Sequence, residues 1–181
     1  MIQNETSLRH NALLEAGRRM LTAARTAPKG KGKDNLILLL VDGPELATLA
    51  DYMDASVERH GRKFFHRDAL NIRQAEAVVI MGTSLSNMGL NCGYCGFPTC
   101  EAKDKAGELP CAFPLNDLGI ALGSACATAA DLRVDTRVMF SAGTAAMELG
   151  WLGAECRAAY AIPLSATGKN PFFDRVSTRP Q

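Results

Sequence analysis

The sequence carries almost no excess charge: 20 Lys and Arg stand against 19 Asp and Glu, for a formal net charge of +1. Without a basic surplus there is no electrostatic case for nucleic acid or an anionic membrane as partner. Long apolar runs are missing as well. The longest, Leu36 to Val41, falls far short of the ~20 residues that a membrane-spanning helix needs. Internal repeats and low-complexity segments are absent, and the N-terminus reads as no export signal. The six cysteines are therefore expected to stay reduced in a cytoplasmic setting, where their thiolates remain free for metal. With 181 residues, 47% hydrophobic and 22% charged, the chain is expected to form one domain over 1–181 with a substantial core.

What the sequence does have is a concentration of sulfur. Cys92, Cys95, Cys100 and Cys111 follow the spacing C-x2-C-x4-C-x10-C within the stretch NCGYCGFPTC and the residues after it. A C-x2-C pair brings two thiolates to one metal centre from a tight turn, and the other two close the shell. Gly93 and Gly96 directly follow ligand candidates, where a small residue lets backbone N–H groups approach sulfur. Pro98 keeps the loop from collapsing into helix. Four thiolates with no histidine in the segment fit a [4Fe–4S] cluster. A four-cysteine zinc site uses the same residues, although such sites more often pair two C-x2-C knuckles. A disulfide set needs an oxidising compartment, and a reactive thiol centre needs only one or two of the four.

Along the chain, apolar residues at helical spacing predict a helix over 6–26, ended by Ala27-Pro28. Lys29-Gly30-Lys31-Gly32-Lys33 follows as a basic loop, either solvated or in contact with an anion. The run from Asn35 to Val41 reads as a strand buried on both faces. A second helix runs from Pro44 to His60, and Ala77 to Met81 is another strand. His60 and His66 read as surface or packing residues. The segment 82–113 is too long for a plain connection and is expected to be functional. Pro114 opens a helix that extends to Asp131, with Gly119, Gly123, Ser124 and Ala125 implying close packing by a neighbouring helix or a planar cofactor. Cys126 sits in its apolar stripe as a small buried hydrophobe, with a substitute-ligand role as the alternative.

Arg137 to Ser141 reads as a strand, then Gly143 and a helix from Thr144, an order that can make an anion site or simply a tight turn. Ala158 to Leu164 is the last strand. After it, Ser165-Ala166-Thr167-Gly168-Lys169-Asn170 resembles half a phosphate loop. Pro163 stands where the first glycine belongs and Asn170 where Ser or Thr belongs, so no nucleotide hydrolysis follows.

On CGYCGFPTC with Cys111, DLGIALGSACATAADLRVDTRVMFSAGTAAMELGW and AIPLSATGKNPFFDR, the chain resembles a small prokaryotic family of uncharacterised proteins described as containing a ferredoxin domain. The resemblance implies a [4Fe–4S] cluster on those four cysteines. The order of elements also resembles the nitroreductase fold: an α+β three-layer sandwich, here with a cysteine-rich insertion at 82–113. That likeness implies FMN as a second cofactor and a two-fold dimer. The phosphate of FMN would look to Lys29, Lys31, Lys33, Gly143, Thr144 and Lys169, because only Arg9 stands where that fold carries its N-terminal basic residues.

Three functions follow. One is an iron–sulfur electron-transfer protein or oxidoreductase subunit working with a redox partner protein or small-molecule electron acceptor. A second is a flavin oxidoreductase relaying electrons through the cluster. The third is a non-catalytic module in which cluster or zinc holds the long loop folded. The small-residue face of the helix at 115–131 is expected to pair two copies of the chain as a homodimer.

Overall fold

The computed structural model describes residues 1–107 and 109–174. Arg175, which closes the last of the family-like stretches, lies outside them. In chain order the elements are α1 (Glu5–Thr26), a single 3-10 turn (Gly30–Gly32), β1 (Leu36–Asp42), α2 (Pro44–His60), α3 (Phe64–Arg73), β2 (Ala77–Thr83), α4 (Cys100–Lys105), α5 (Ala112–Asp131), β3 (Asp135–Thr136), α6 (Phe140–Glu148) and β4 (Ala158–Ser165).

The four strands form one sheet in the order β1-β2-β4-β3, with every neighbouring pair antiparallel. Side chains alternate across it, as strand geometry requires. On one face Val78, Ile80, Ala159 and Ala161 pack with residues of α2, α3 and α6, including Met53, Phe65 and Ala142. On the other, Val79, Met81, Ile162 and Leu164 pack with α1 and α5 through Leu13, Met20, Leu118 and Ala125. The register keeps like with like, since Leu39 faces Ile80 and Val79 faces Ile162. The result is a three-layer α/β/α sandwich in which β2 is fully buried.

Three local expectations need correction. Strand β1 is not buried on both faces: it lies at the sheet edge, and after Leu36 its residues are only half-buried. The strand expected over Arg137–Ser141 is reduced to β3 at 135–136 and one bridge from Met139 to Ala161. Helix α6 already begins at Phe140, so Gly143 is buried inside the helix and does not precede it. The cause is steric. A Cβ at Gly143 would lie 2.6 Å from the Tyr160 Cα and nearer still to the Ala159 carbonyl, so the missing side chain is what lets α6 rest directly on β4. Helix α3, which the sequence pattern did not suggest, buries Phe65, Ala69 and Ile72 beneath the same layer. The histidines pack or pair at the surface. His60 stacks on Phe65 with ring centres 4.8 Å apart, and His66 Nδ1 lies 2.7 Å from Asp54 Oδ1.

Candidate metal centre

Between β2 and α5 the chain leaves the sandwich and forms the cysteine-bearing segment. Its base is tied to the body at several points. The Cys111 N–H donates to the Leu85 carbonyl at 3.4 Å, which brings the two ends of the segment together. Lys31 Nζ donates to the Met88 carbonyl at 3.3 Å and Lys33 Nζ to Ser86 Oγ at 3.4 Å. Gly30, where an added Cβ would meet the Phe113 ring at 2.8 Å, donates its N–H to both oxygens of the buried Asp117 carboxylate at 3.1 Å. The basic loop thus buttresses the cysteine segment.

Within the segment, Cys92 to Gly96 make a turn in which the Gly96 N–H donates to the Gly93 carbonyl at 2.9 Å. Gly93 and Gly96 have φ of 75° and 87°, left-handed values that a side chain would penalise. Asn91 also takes a positive φ, 48°, which asparagine tolerates better than most residues. It forms a reciprocal pair with Cys100. Its Oδ1 accepts from the Cys100 N–H at 2.8 Å, and its own N–H points at Cys100 Sγ at 3.3 Å. Thr99 caps α4 by accepting from the Ala102 N–H at 3.1 Å. Asn87 holds the same helix, donating to Asp104 Oδ2 at 2.7 Å and to the Cys100 carbonyl at 3.4 Å. Tyr94, 77% exposed, stacks parallel to Phe113 at 5.8 Å between ring centres and clamps the turn to the start of α5.

Cys92, Cys95, Cys100 and Cys111 all line one recess, with Met88, Leu90, Phe97 and Phe113 among its apolar walls. Cys92 is exposed, Cys95 and Cys100 half-buried and Cys111 buried. Cys111 is the N-cap residue of α5, closer to the helix than the sequence reading had it, so the positive end of the helix dipole faces the recess. Cys126 and Cys156 do not line the recess, and burial pushes both of their thiols above the ordinary range.

Among the described residues, no three His, Cys, Asp or Glu side chains stand close enough together to hold a metal ion. A tetrahedral zinc site needs four sulfurs ~2.3 Å from one point, and hence about 3.8 Å from one another. A four-iron cube takes one thiolate at each of four separate irons and needs them spread around a recess. Four cysteines around a common apolar recess, with a backbone N–H already directed at Cys100 Sγ, supply the thiolates that either group would use.

Within one chain, the residues expected to hold a flavin phosphate do not come together. Lys29 Nζ is occupied by α1, donating to the Ala27 carbonyl at 2.8 Å and the Ala24 carbonyl at 3.4 Å. Lys31 is engaged with Met88, on the α1/α5 side of the sheet. Gly143 and Thr144 lie in α6 on the opposite side, where Gly143 is sealed against β4 and Thr144 Oγ1 donates to the Phe140 carbonyl at 3.1 Å. Lys169 pairs with Asp174 at 2.6 Å. The strand–glycine–helix anion site read from the sequence is therefore not formed.

Two residues of the recess escaped the sequence reading. Asn91 was visible only as the neighbour of Cys92. Lys103 could have been found from its place one helical turn after Cys100, had the short helix α4 been foreseen.

Residues 108–175 match the model of a family described as "Uncharacterized protein containing a ferredoxin domain". An uncharacterised protein of Archaeoglobus fulgidus is 40% identical, with the match covering 97% of this chain and 98% of that protein. The chain belongs to the ferredoxin-domain family. The matched family segment contains Cys111, while the other three cysteines of the recess precede it. Solved structures share the fold of this family member at low sequence identity. A BluB-like flavoprotein from Clostridium difficile superimposes with a TM-score of 0.60 at 20% identity, over 92% of this chain and 85% of its own. A putative nitroreductase in complex with FMN from Desulfovibrio desulfuricans gives 0.56 at 18%, over 92% and 79%. An FMN-dependent nitroreductase from Clostridium difficile gives 0.56 at 15%, over 86% and 76%. The sandwich of this ferredoxin-domain protein is thus the nitroreductase fold.

Proposed function

We propose that this protein is an iron–sulfur redox protein that binds one [4Fe–4S] cluster through Cys92, Cys95, Cys100 and Cys111. It would pass single electrons to a redox partner protein or small-molecule acceptor in a reducing cytoplasm. The observation that carries the reading is the arrangement of those four cysteines, and among the described residues no others, around one apolar recess. When bound, the cluster supplies reversible one-electron chemistry. The chain's own contribution is to orient and shield. Asn91 fixes Cys100 and aims an N–H at its sulfur, the Gly93–Gly96 turn presents Cys92 and Cys95, and Met88, Phe97 and Phe113 keep water from the inner side. Exposure of Cys92 leaves one side open to a partner. Iron and acid-labile sulfide analysis of anaerobically purified protein, with its visible spectrum, tests this. Four of each per chain with a broad brown absorption are expected; zinc in their place would support the structural-module alternative.

A second reading adds FMN between two copies of the chain, making a flavin oxidoreductase whose cluster relays electrons. It is favoured by the fold, since solved neighbours include FMN-binding nitroreductases. The engagement of Lys29, Lys31 and Lys169 within the chain weighs against those residues as phosphate donors. FMN titrated into anaerobic protein, followed by flavin fluorescence, separates the two readings. Saturable quenching supports FMN, and none up to ~100 μM leaves the iron–sulfur protein alone.

A further inference from the structure

Among the described residues, Lys103 is the one charged side chain that lines the cysteine recess. Only 7% of its side chain is exposed, and lysine is seldom buried so deeply without a charge to answer it. Its counter-ion lies toward solvent: Nζ stands 3.0 Å from Asp104 Oδ1, whose own side chain is 54% exposed. The Asn87 amide and then the Lys103 ammonium hold that carboxyl below its ordinary range. Asn87 thereby fixes Asp104, Asp104 holds the ammonium, and the backbone of α4 fixes the root of Lys103, whose N–H donates to the Thr99 carbonyl at 3.2 Å. One turn of α4 separates Lys103 from Cys100, which puts the two on one side of the helix.

A four-iron cluster on four thiolates has an overall charge of 2− when its core is 2+. After taking one electron from an external reductant the charge is 3−, with no bond made or broken. An ammonium beside the recess stabilises the second state more than the first, because the attraction scales with the cluster charge and low-dielectric surroundings screen it little. Asp104, on the wet side, is screened by water and offsets this only in part. We propose that Lys103 sets the reduction potential of the cluster, holding it above the value the four thiolates alone would give; this rests on the iron–sulfur reading.

The test is a mediated dithionite titration of anaerobic protein, followed by electron paramagnetic resonance, for the wild type, Lys103→Gln, Lys103→Met and Lys103→Arg. Iron and sulfide are measured first on each. The neutral variants should carry a full cluster and reduce at a potential more negative by at least a tenfold change in the reduction equilibrium, ~59 mV for one electron. K103R should stay close to the wild type. A full cluster with a smaller or positive shift in both neutral variants would overturn the proposal and leave the iron–sulfur reading intact. If neither neutral variant assembles a cluster, K103R decides. Assembly in K103R alone shows that the cation is needed, whereas failure there too makes Lys103 a packing residue and overturns the proposal. A wild type that binds no cluster removes the parent reading, and this one with it.

Discussion

Gly143→Ala is a demanding test of the packing that builds the sandwich. The three atoms nearest to an added Cβ are all backbone of β4: the Ala159 carbonyl oxygen and carbon, and the Tyr160 Cα at 2.6 Å. No side-chain rotation relieves such a clash. Ordinary van der Waals contact begins near 3.5 Å, so α6 must move outward by about 1 Å, and β4 cannot retreat because Tyr160, Ile162 and Leu164 are packed on α1 and α5 at the opposite face. Overpacking of this kind costs about 1–3 kcal/mol, and rigid backbone on both sides places it at the upper end. Alanine returns about 1 kcal/mol in helix propensity. The net loss is therefore about 2 kcal/mol, or ~4–8 °C in Tm for a chain of this size. Urea denaturation and thermal melting of G143A beside G119A supply the assay. Gly119 meets nothing within 4 Å, so G119A should be neutral or slightly stabilising in the monomer. A G143A variant as stable as the wild type would refute the close approach of α6 to β4.

Further outcomes follow from other parts of the chain. Asn91→Ala loses the hydrogen bond to the Cys100 N–H and puts alanine at positive φ, together worth about 1–2 kcal/mol locally. Cysteine-segment amides should exchange faster by hydrogen exchange while β2 is unchanged. Gly123→Leu tests the proposed homodimer: Gly119, Gly123 and Ala127 form an exposed small-residue face on α5, and G123L should shift a dimer to monomer by light scattering without loss of helical signal. Asp34 supplies a pH prediction. Partial burial would raise its carboxyl, but the Arg25 side chain and the Leu36 N–H outweigh it and hold it below the ordinary value. The resulting stability is present above the unfolded-state pKa and lost as pH falls through the lower folded one. D34N should thus cost under ~1 kcal/mol at neutral pH, with the difference from wild type closing below about pH 4 in urea titrations.

Residues whose role depends on local pattern were legible in the sequence. The runs at Leu36–Val41 and Ala77–Met81 announced two strands, and the stripes of α1, α2 and α5 announced three helices, because burial on one face leaves a period. The cysteine spacing identified the four residues that share the recess. What stayed hidden depended on distant partners. Gly143 looked like a turn because the sequence does not reveal that β4 passes beneath it. The lysines after α1 looked like anion donors because their carbonyl acceptors at Met88 and Ala27 are set by tertiary structure. Lys103 carried no signal of its own, because the short helix α4 that sets it beside the recess was not foreseen.

Ligation of a cluster by the four cysteines is tested by counting iron and sulfide in anaerobically purified protein and in the four single variants Cys92→Ala, Cys95→Ala, Cys100→Ala and Cys111→Ala, with Cys126→Ala as control. Four irons and four sulfides per chain are expected in the wild type and in C126A. Each of the other four should lose most of its iron or retain a three-iron species. A full complement in C111A together with loss in C126A, or a wild type that holds zinc and no sulfide, would contradict it.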